Sequence, residues 1–240
     1  MFTIYLAKQI RSSLTSMQTI ALIAQKGGTG KTTLAVSLAV AAMEAGKTVA
    51  IVDLDPQSSA GNWGERRQQE QPAVVSVHVP RLAAVLATAR QNGTDLLLID
   101  TPGKSEQAAL AAAKAADLVI IPSRPQIYDL ETVAAAKEVV DLAGGKPAFT
   151  VLNAVPPQGR RHEEARAFIE GLRLTVCPAV LVHRAAYGDA PNAGKSVTEY
   201  EPGGKAAEEV RRVWKFTNKF LQRLARRDGH GQDEPTNRIA

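Results

Sequence analysis

A single cysteine, Cys177, is present in 240 residues, so no intrachain disulfide can form and nothing marks an oxidising compartment. No apolar run approaches the ~20 residues needed to cross a bilayer. Candidates such as 95–100 and 117–122 have only strand length. The N-terminal stretch mixes short apolar pieces with Lys8 and Arg11 and lacks a continuous signal-peptide core. The expected address is therefore cytoplasmic. There is no internal repeat, and no linker-like shift in composition interrupts 17–227, which argues for one domain. With 45% hydrophobic residues the chain can bury a substantial core. The net charge of +5 favours an anionic partner, nucleic acid or membrane, without choosing between them.

Short apolar runs at 18–24, 48–53, 74–79, 95–100, 117–122, 148–153 and 177–182 alternate with helix-length, alanine-rich segments. Runs that are apolar at every position indicate strands buried on both faces, and helical crossovers between them imply parallel pairing. The expected fold is α/β: one doubly wound, mostly parallel sheet flanked by helices. In such sheets ligands bind beyond the carboxyl ends of strands. Met17, just before the first run, is the expected functional start, with 1–16 an upstream extension. A last helix is expected over 203–227 and a polar, disordered tail over 228–240.

Three segments at strand ends carry chemistry. The first strand leads into "KGGTGKTT" (26–33) and then a helix closed by Gly46. In such a loop Gly27, Gly28, Thr29 and Gly30 let backbone N–H groups converge on phosphate, Lys31 reaches the β and γ phosphates, and the Thr32 hydroxyl can ligate Mg²⁺. The usual glycine at the start of the pattern is replaced by Gln25, so the loop is a variant. The second segment is "LLLIDTPG", where Asp100 ends a strand near the metal's water shell and Thr101-Pro102-Gly103 can sense a γ-phosphate. The third is "VDLDPQ": period-two spacing places Asp53 and Asp55 on one side until Pro56 breaks the strand. A carboxylate there can orient an attacking water.

Together, "KGGTGKTT", "DLDPQ" and "DTPG" resemble the ParA/MinD group of deviant Walker-A P-loop ATPases, and most of all the small ParA-type plasmid and chromosome partition ATPases, over 17–227. The resemblance implies ATP and Mg²⁺ as cofactors. It makes Lys26 the lysine that reaches across an ATP-sandwich homodimer to the partner's phosphates. Lys31 becomes the Walker lysine, Thr32 the Mg²⁺ ligand and Thr33 a phosphate contact. Asp55 becomes the water-orienting carboxylate, also close to the metal, with Asp53 its companion and Asp100 the Walker B carboxylate. Gly103 belongs to the nucleotide switch. Asn153 is either an adenine contact or a strand-capping asparagine.

Departures from the group narrow the work. With one cysteine, a subunit cannot supply the cysteine sets of the nitrogenase iron protein or of arsenite- and tail-anchor-handling ATPases. The tail "DGHGQDEPTNRIA" has no apolar face, unlike the membrane helix of MinD-like proteins, so no membrane partner is expected. About 25 residues precede the loop, too few for the helix-turn-helix domain of longer partition ATPases, which leaves operator recognition to a separate, small ParB-type partner. The last helix carries an apolar stripe through Val210, Val213, Trp214, Thr217, Phe220, Leu221 and Leu224, with Arg211, Arg212, Lys215, Lys219, Arg223 and Arg226 on the other side. These cations form either a solvated face or a surface for nonspecific contact with DNA phosphates on the nucleoid. Arg184 and Lys195 are further candidates for DNA or nucleotide-edge contacts.

The expected function is an ATPase with weak intrinsic turnover, since no residue resembles a strong base or a cis arginine finger. Mg-ATP would drive dimerisation and DNA binding, and stimulated hydrolysis would release both. Alternatives are a positioning scaffold for a protein cluster or transfer apparatus, and a small-molecule ATP-dependent enzyme on the same fold.

Overall fold

In a computed structural model, residues 17–230 are described; the expected N-terminal extension and the tail beyond 230 lie outside them. Seven strands form one sheet in the order β3-β2-β4-β1-β5-β6-β7, every pair parallel. They are β1 (Gln18–Leu22), β2 (Val49–Asp53), β3 (Ala73–Ser76), β4 (Leu96–Asp100), β5 (Leu118–Ser123), β6 (Ala148–Leu152) and β7 (Thr175–Val176). The helices are α1 (Lys31–Glu44), α2 (Ser59–Arg66), α3 (Leu82–Gln91), α4 (Glu106–Ala115), α5 (Ile127–Leu142), α6 (Arg161–Gly171), α7 (Ala186–Asn192), α8 (Val197–Tyr200) and α9 (Lys205–His230).

The unbroken apolar runs follow from burial on both faces. Leu96 and Leu98 of β4 enter the core beneath α1, α2 and α9, whereas Leu97 and Ile99 enter the core beneath α3 to α6. Alternate residues therefore serve opposite layers, and apolar residues fill β4 until the strand ends. There Asp53 of β2 and Asp100 of β4 stand as register partners.

Several boundaries differ from expectation: the runs at 18–24 and 74–79 end as strands at Leu22 and Ser76, and two larger differences lie towards the C-terminus. The last strand was expected at 177–182, but β7 occupies Thr175–Val176. Pro178 has no N–H to donate, so beyond Cys177, whose N–H reaches the Thr150 carbonyl, the chain leaves the ladder. It touches again only at Leu181 and at the Val155–Val182 bridge. Cys177 is buried, as a packing residue would be, and burial pushes its thiol up to about 11. The final helix continues to His230, past the expected end at 227.

Helix α9 lies on the α1 side of the sheet. Val210, Val213, Trp214, Thr217 and Leu221 are buried, and Phe216 and Phe220 bracket buried Phe149 of β6 with ring centroids 5.0 and 5.4 Å away. The stripe read from sequence is thus the docked face. No helix among the described residues is long and apolar enough to cross a membrane. Phe149→Ala should cost about 3–5 kcal/mol of unfolding free energy in urea titrations, and a loss below about 1 kcal/mol would show that the aromatic cluster does not anchor α9.

Candidate functional site

The carboxyl ends of β1, β4 and β2 meet at the loop before α1. Gly28 (φ 73°) and Gly30 (φ 92°) take left-handed conformations. A Cβ on Gly30 would lie 2.0 Å from Asn153 Nδ2, so the loop's shape and its close packing both demand glycine there. Gly103 abuts the loop from the β4 side, where a Cβ would sit 2.7 Å from the Gly27 nitrogen and 2.9 Å from the Lys26 carbonyl carbon. Gly103 thus touches the loop backbone and does not line the cavity.

Lys31 opens α1 and is almost wholly buried, with Nζ donating to the Lys26 carbonyl at 3.3 Å. Burial lowers its pKa, and nearby Asp100 and Asp55 oppose that shift. A buried ammonium leaning on a carbonyl is poised for a stronger acceptor. Thr32 Oγ1 donates to Asp100 Oδ2 at 2.6 Å. Asp100 is inaccessible to solvent, its Oδ1 has no partner, and burial pushes the carboxyl up to about 7 despite the Thr32 bond. An orphaned carboxylate oxygen beside a threonine hydroxyl at a phosphate loop fits Mg²⁺. No cluster of three His, Cys, Asp or Glu side chains exists among the described residues.

Asp53 and Asp55 part company. Asp53, expected as a catalytic companion, is buried, and its oxygens accept from Asp55 N (2.9 Å), Ala60 N (2.9 Å) and Gly61 N (3.1 Å). Because these bonds hold the Asp55 backbone and the first turn of α2, Asp53 is a positioning residue. Asp55 accepts from Gln57 N at 2.9 Å and lines the cavity. Asn153 is also corrected: Nδ2 donates to Thr29 O at 2.8 Å and Oδ1 accepts from Ala154 N at 2.8 Å, so its amide is turned onto the loop, and it does not line the cavity where a base would lie.

A cavity of about 390 Å³ runs from Gly27, Gly28, Gly30, Lys31, Thr32 and Thr33 past Asp55 to Trp63 and Arg66 of α2, Tyr187 and Pro191 of α7, and Lys195. Thr29 is buried beneath the loop and does not line it. Its far wall was not foreseen, apart from Lys195. Trp63 Nε1 donates to Lys195 O at 3.1 Å; Arg67 stacks 5.0 Å above the Trp63 ring and forks onto Glu199 at 2.6 and 2.8 Å. This links the Asp55 side of the site to α8. Only a tertiary contact across 132 residues reveals it.

Lys26 lies outside that cavity. Its Nζ pairs at 3.0 Å with Asp129 on the first turn of α5, a buried carboxylate whose other oxygen lacks a partner. Beside it Gly27 and Gly28 are exposed. On α9 the basic set divides. Arg211 is tethered inward, to Glu44 at 3.1 Å and to the carbonyls of Pro202 (2.7 Å) and Thr198 (3.5 Å), and so leaves the stripe. Arg212 pairs with Glu208. Lys215, Lys219, Arg223 and Arg226 are exposed, and the first three have no ion pair among the described residues. Arg184 is tied to Glu209 at 2.6 Å, so it too is removed from the expected contacts.

Residues 20–197 match the CobQ/CobB/MinD/ParA nucleotide binding domain. Maintenance of carboxysome distribution protein A of Gloeobacter kilaueensis is 34% identical over 210 residues, covering 82% of this chain and 95% of that protein. Chromosome-partitioning ATPase Soj of Thermus thermophilus is 31% identical over 234 residues, covering 81% and 92%. In fold, the chain is similar to the septum site-determining protein MinD of Pyrococcus horikoshii, solved with Mg-ADP, with a TM-score of 0.69 at 20% identity over 87% of this chain and 98% of that one.

Gly103→Ala should push the loop off its position and weaken ATP binding more than about tenfold, the scale of one or two hydrogen bonds, while the urea midpoint moves little. Unchanged affinity by calorimetry would show that the loop tolerates the added methyl group.

Proposed function

The chain belongs to the CobQ/CobB/MinD/ParA nucleotide-binding family, and from that premise we propose that it is a partition-type ATPase whose ATP-bound homodimer binds DNA without reading sequence. The observation that carries this reading is the position of Lys26: a loop lysine that turns away from its own cavity, onto Asp129 at the rim, can exchange that carboxylate for another subunit's phosphates. Without nucleotide, Lys26 is paired with Asp129. A triphosphate between two such loops gives each lysine a stronger anionic partner across the interface, so nucleotide can act as the dimerisation switch.

Within the site, Lys31 neutralises developing charge on the β and γ phosphates, and the loop N–H groups hold them. Thr32 and Asp100 would hold Mg²⁺, which when bound supplies further charge neutralisation across the phosphates. Asp55 accepts a hydrogen bond from the attacking water and orients it in line with the γ-phosphorus, giving ADP and phosphate. Asp53 keeps that turn in place. Turnover is slow alone and rises when a small ParB-type DNA-binding partner engages the dimer. Nucleoid association follows from the DNA contacts.

Lys215, Lys219, Arg223 and Arg226 supply the DNA-facing charge, with Arg212 beside them and Arg211 serving the fold instead. A dimer doubles these cations and steepens the salt dependence of binding. A second reading is favoured by the relative named for carboxysome distribution: the same switch with DNA as a track and a protein cluster as cargo. A small-molecule enzyme on this fold would not need the basic stripe.

The decisive experiment is DNA binding against salt with ATP, ADP or no nucleotide. Wild type should bind tightly only with Mg-ATP, Lys26→Ala should remain monomeric and weak, and Asp55→Ala should stay on DNA because it cannot hydrolyse. A Lys26→Ala protein that dimerises and turns over normally removes the shared-site reading. Charge reversal at Lys215, Lys219 and Arg223 should flatten the slope of log K against log salt by about one for each phosphate no longer neutralised, with monomer nucleotide affinity unchanged. A slope equal to that of wild type places DNA elsewhere.

A further inference from the structure

We propose that Arg124 and Asn153 form an outer brace on the phosphate loop, two positioning residues that hold its backbone in the anion-binding shape before nucleotide arrives. This rests on the reading that the loop binds polyphosphate. Arg124 directly follows β5 and Asn153 directly follows β6, and these strands pair in parallel with Ser123 opposite Leu152. Asn153 N donates to Ser123 O at 2.8 Å, so the two residues emerge from locked, adjacent strand ends.

Both point donors at the loop. Arg124 Nη2 donates to the Gly28 carbonyl, and Asn153 Nδ2 donates to the next carbonyl, Thr29 O, at 2.8 Å. The amide orientation of Asn153 is determined by its neighbours, because Ala154 N–H needs an acceptor and Thr29 O needs a donor. Between them lie the left-handed glycines. A Cβ on Gly28 would meet Arg124 Nη2 at 3.3 Å, and one on Gly30 would collide with Asn153.

A loop that turns its N–H groups inward must turn carbonyls outward, and each outward carbonyl needs a partner. With Lys31 on Lys26 O, the carbonyls of residues 26, 28 and 29 each receive one. Arg124 Nε is buried without a hydrogen-bond partner, and no carboxylate pairs with the guanidinium among the described residues. Its charge is therefore spent on the loop. Neither residue lines the cavity, so both act through the backbone and neither contacts reacting atoms.

The test is calorimetric titration of the full chain with ATP, ADP and inorganic tripolyphosphate, alongside steady-state turnover. Arg124→Ala and Asn153→Ala should each weaken all three by a similar factor, about tenfold, with kcat at saturating ATP within about threefold of wild type and the melting temperature without nucleotide unchanged. Arg124→Lys, which keeps a charged donor, should recover most of the affinity, and Asn153→Asp, which keeps none, should not. Weakening confined to ATP and ADP, with tripolyphosphate untouched, would mean a base contact and overturn the brace. So would a collapse of kcat at unchanged affinity, or no change at all. Tripolyphosphate binding needs neither a dimer nor DNA, so wild-type protein that binds it yet ignores DNA removes the partition reading while the variants still decide the brace.

Discussion

Two buried aspartates side by side, with a buried lysine near one of them, Asp100, set the terms for everything around this site. Asp53 and Asp100 occupy the same register on adjacent parallel strands, both screened from water. Burying carboxylates is costly unless each finds donors or a counter-charge. The chain solves the problem differently at each. Asp53 takes three backbone N–H groups and so organises the turn that carries Asp55 and the start of α2. Asp100 receives only a threonine hydroxyl, keeps one oxygen without a partner, and has its pKa raised to about 7. The incompletely satisfied member is where added positive charge is most favourable, so one acid builds the scaffold and the other awaits a cation.

The loop between them is shaped from outside. Gly103 presses on its first glycine, Asn153 leaves no space for a side chain on Gly30, and donors from two neighbouring strand ends take its carbonyls. A glycine-rich segment has large conformational freedom to lose. Packing from β4, β5 and β6 removes that freedom during folding, so the cost does not fall on ligand binding. Lys26 is the exception in the loop, since it is held by Asp129 across the rim and not by the cavity.

The charge of α9 is likewise allotted by packing. Val213, Trp214 and the Phe149 cluster orient the helix. That orientation turns Arg211 back onto Glu44 and the carbonyls around α8, and leaves Lys215, Lys219 and Arg223 outward. Through Thr198 and Pro202, Arg211 also meets the segment that Glu199 ties to Arg67 and the wall of the cavity. The basic helix and the nucleotide cavity therefore share a continuous set of polar contacts.

The amino-acid sequence by itself determined the parallel α/β sheet, the succession of its first six strands along the chain and the identity of the phosphate loop. Fully apolar runs indicate two-sided burial, and glycines at 27, 28 and 30 leading into Lys31 indicate a tight anion-binding turn. It also located Asp55 and Asp100 at strand ends. Spacing, however, cannot tell a carboxylate that touches ligand from one that caps a helix, because both follow a strand; only hydrogen bonds separated Asp53 from Asp55. Asn153, Arg211 and Arg184 changed assignment for the same reason, their partners lying 124, 167 and 25 residues away. Arg124, Asp129 and the Trp63–Arg67–Glu199 wall carry no local signature. Their roles arise when strand ends and helix starts from distant parts of the chain converge on one loop, and that convergence was decided by tertiary structure alone.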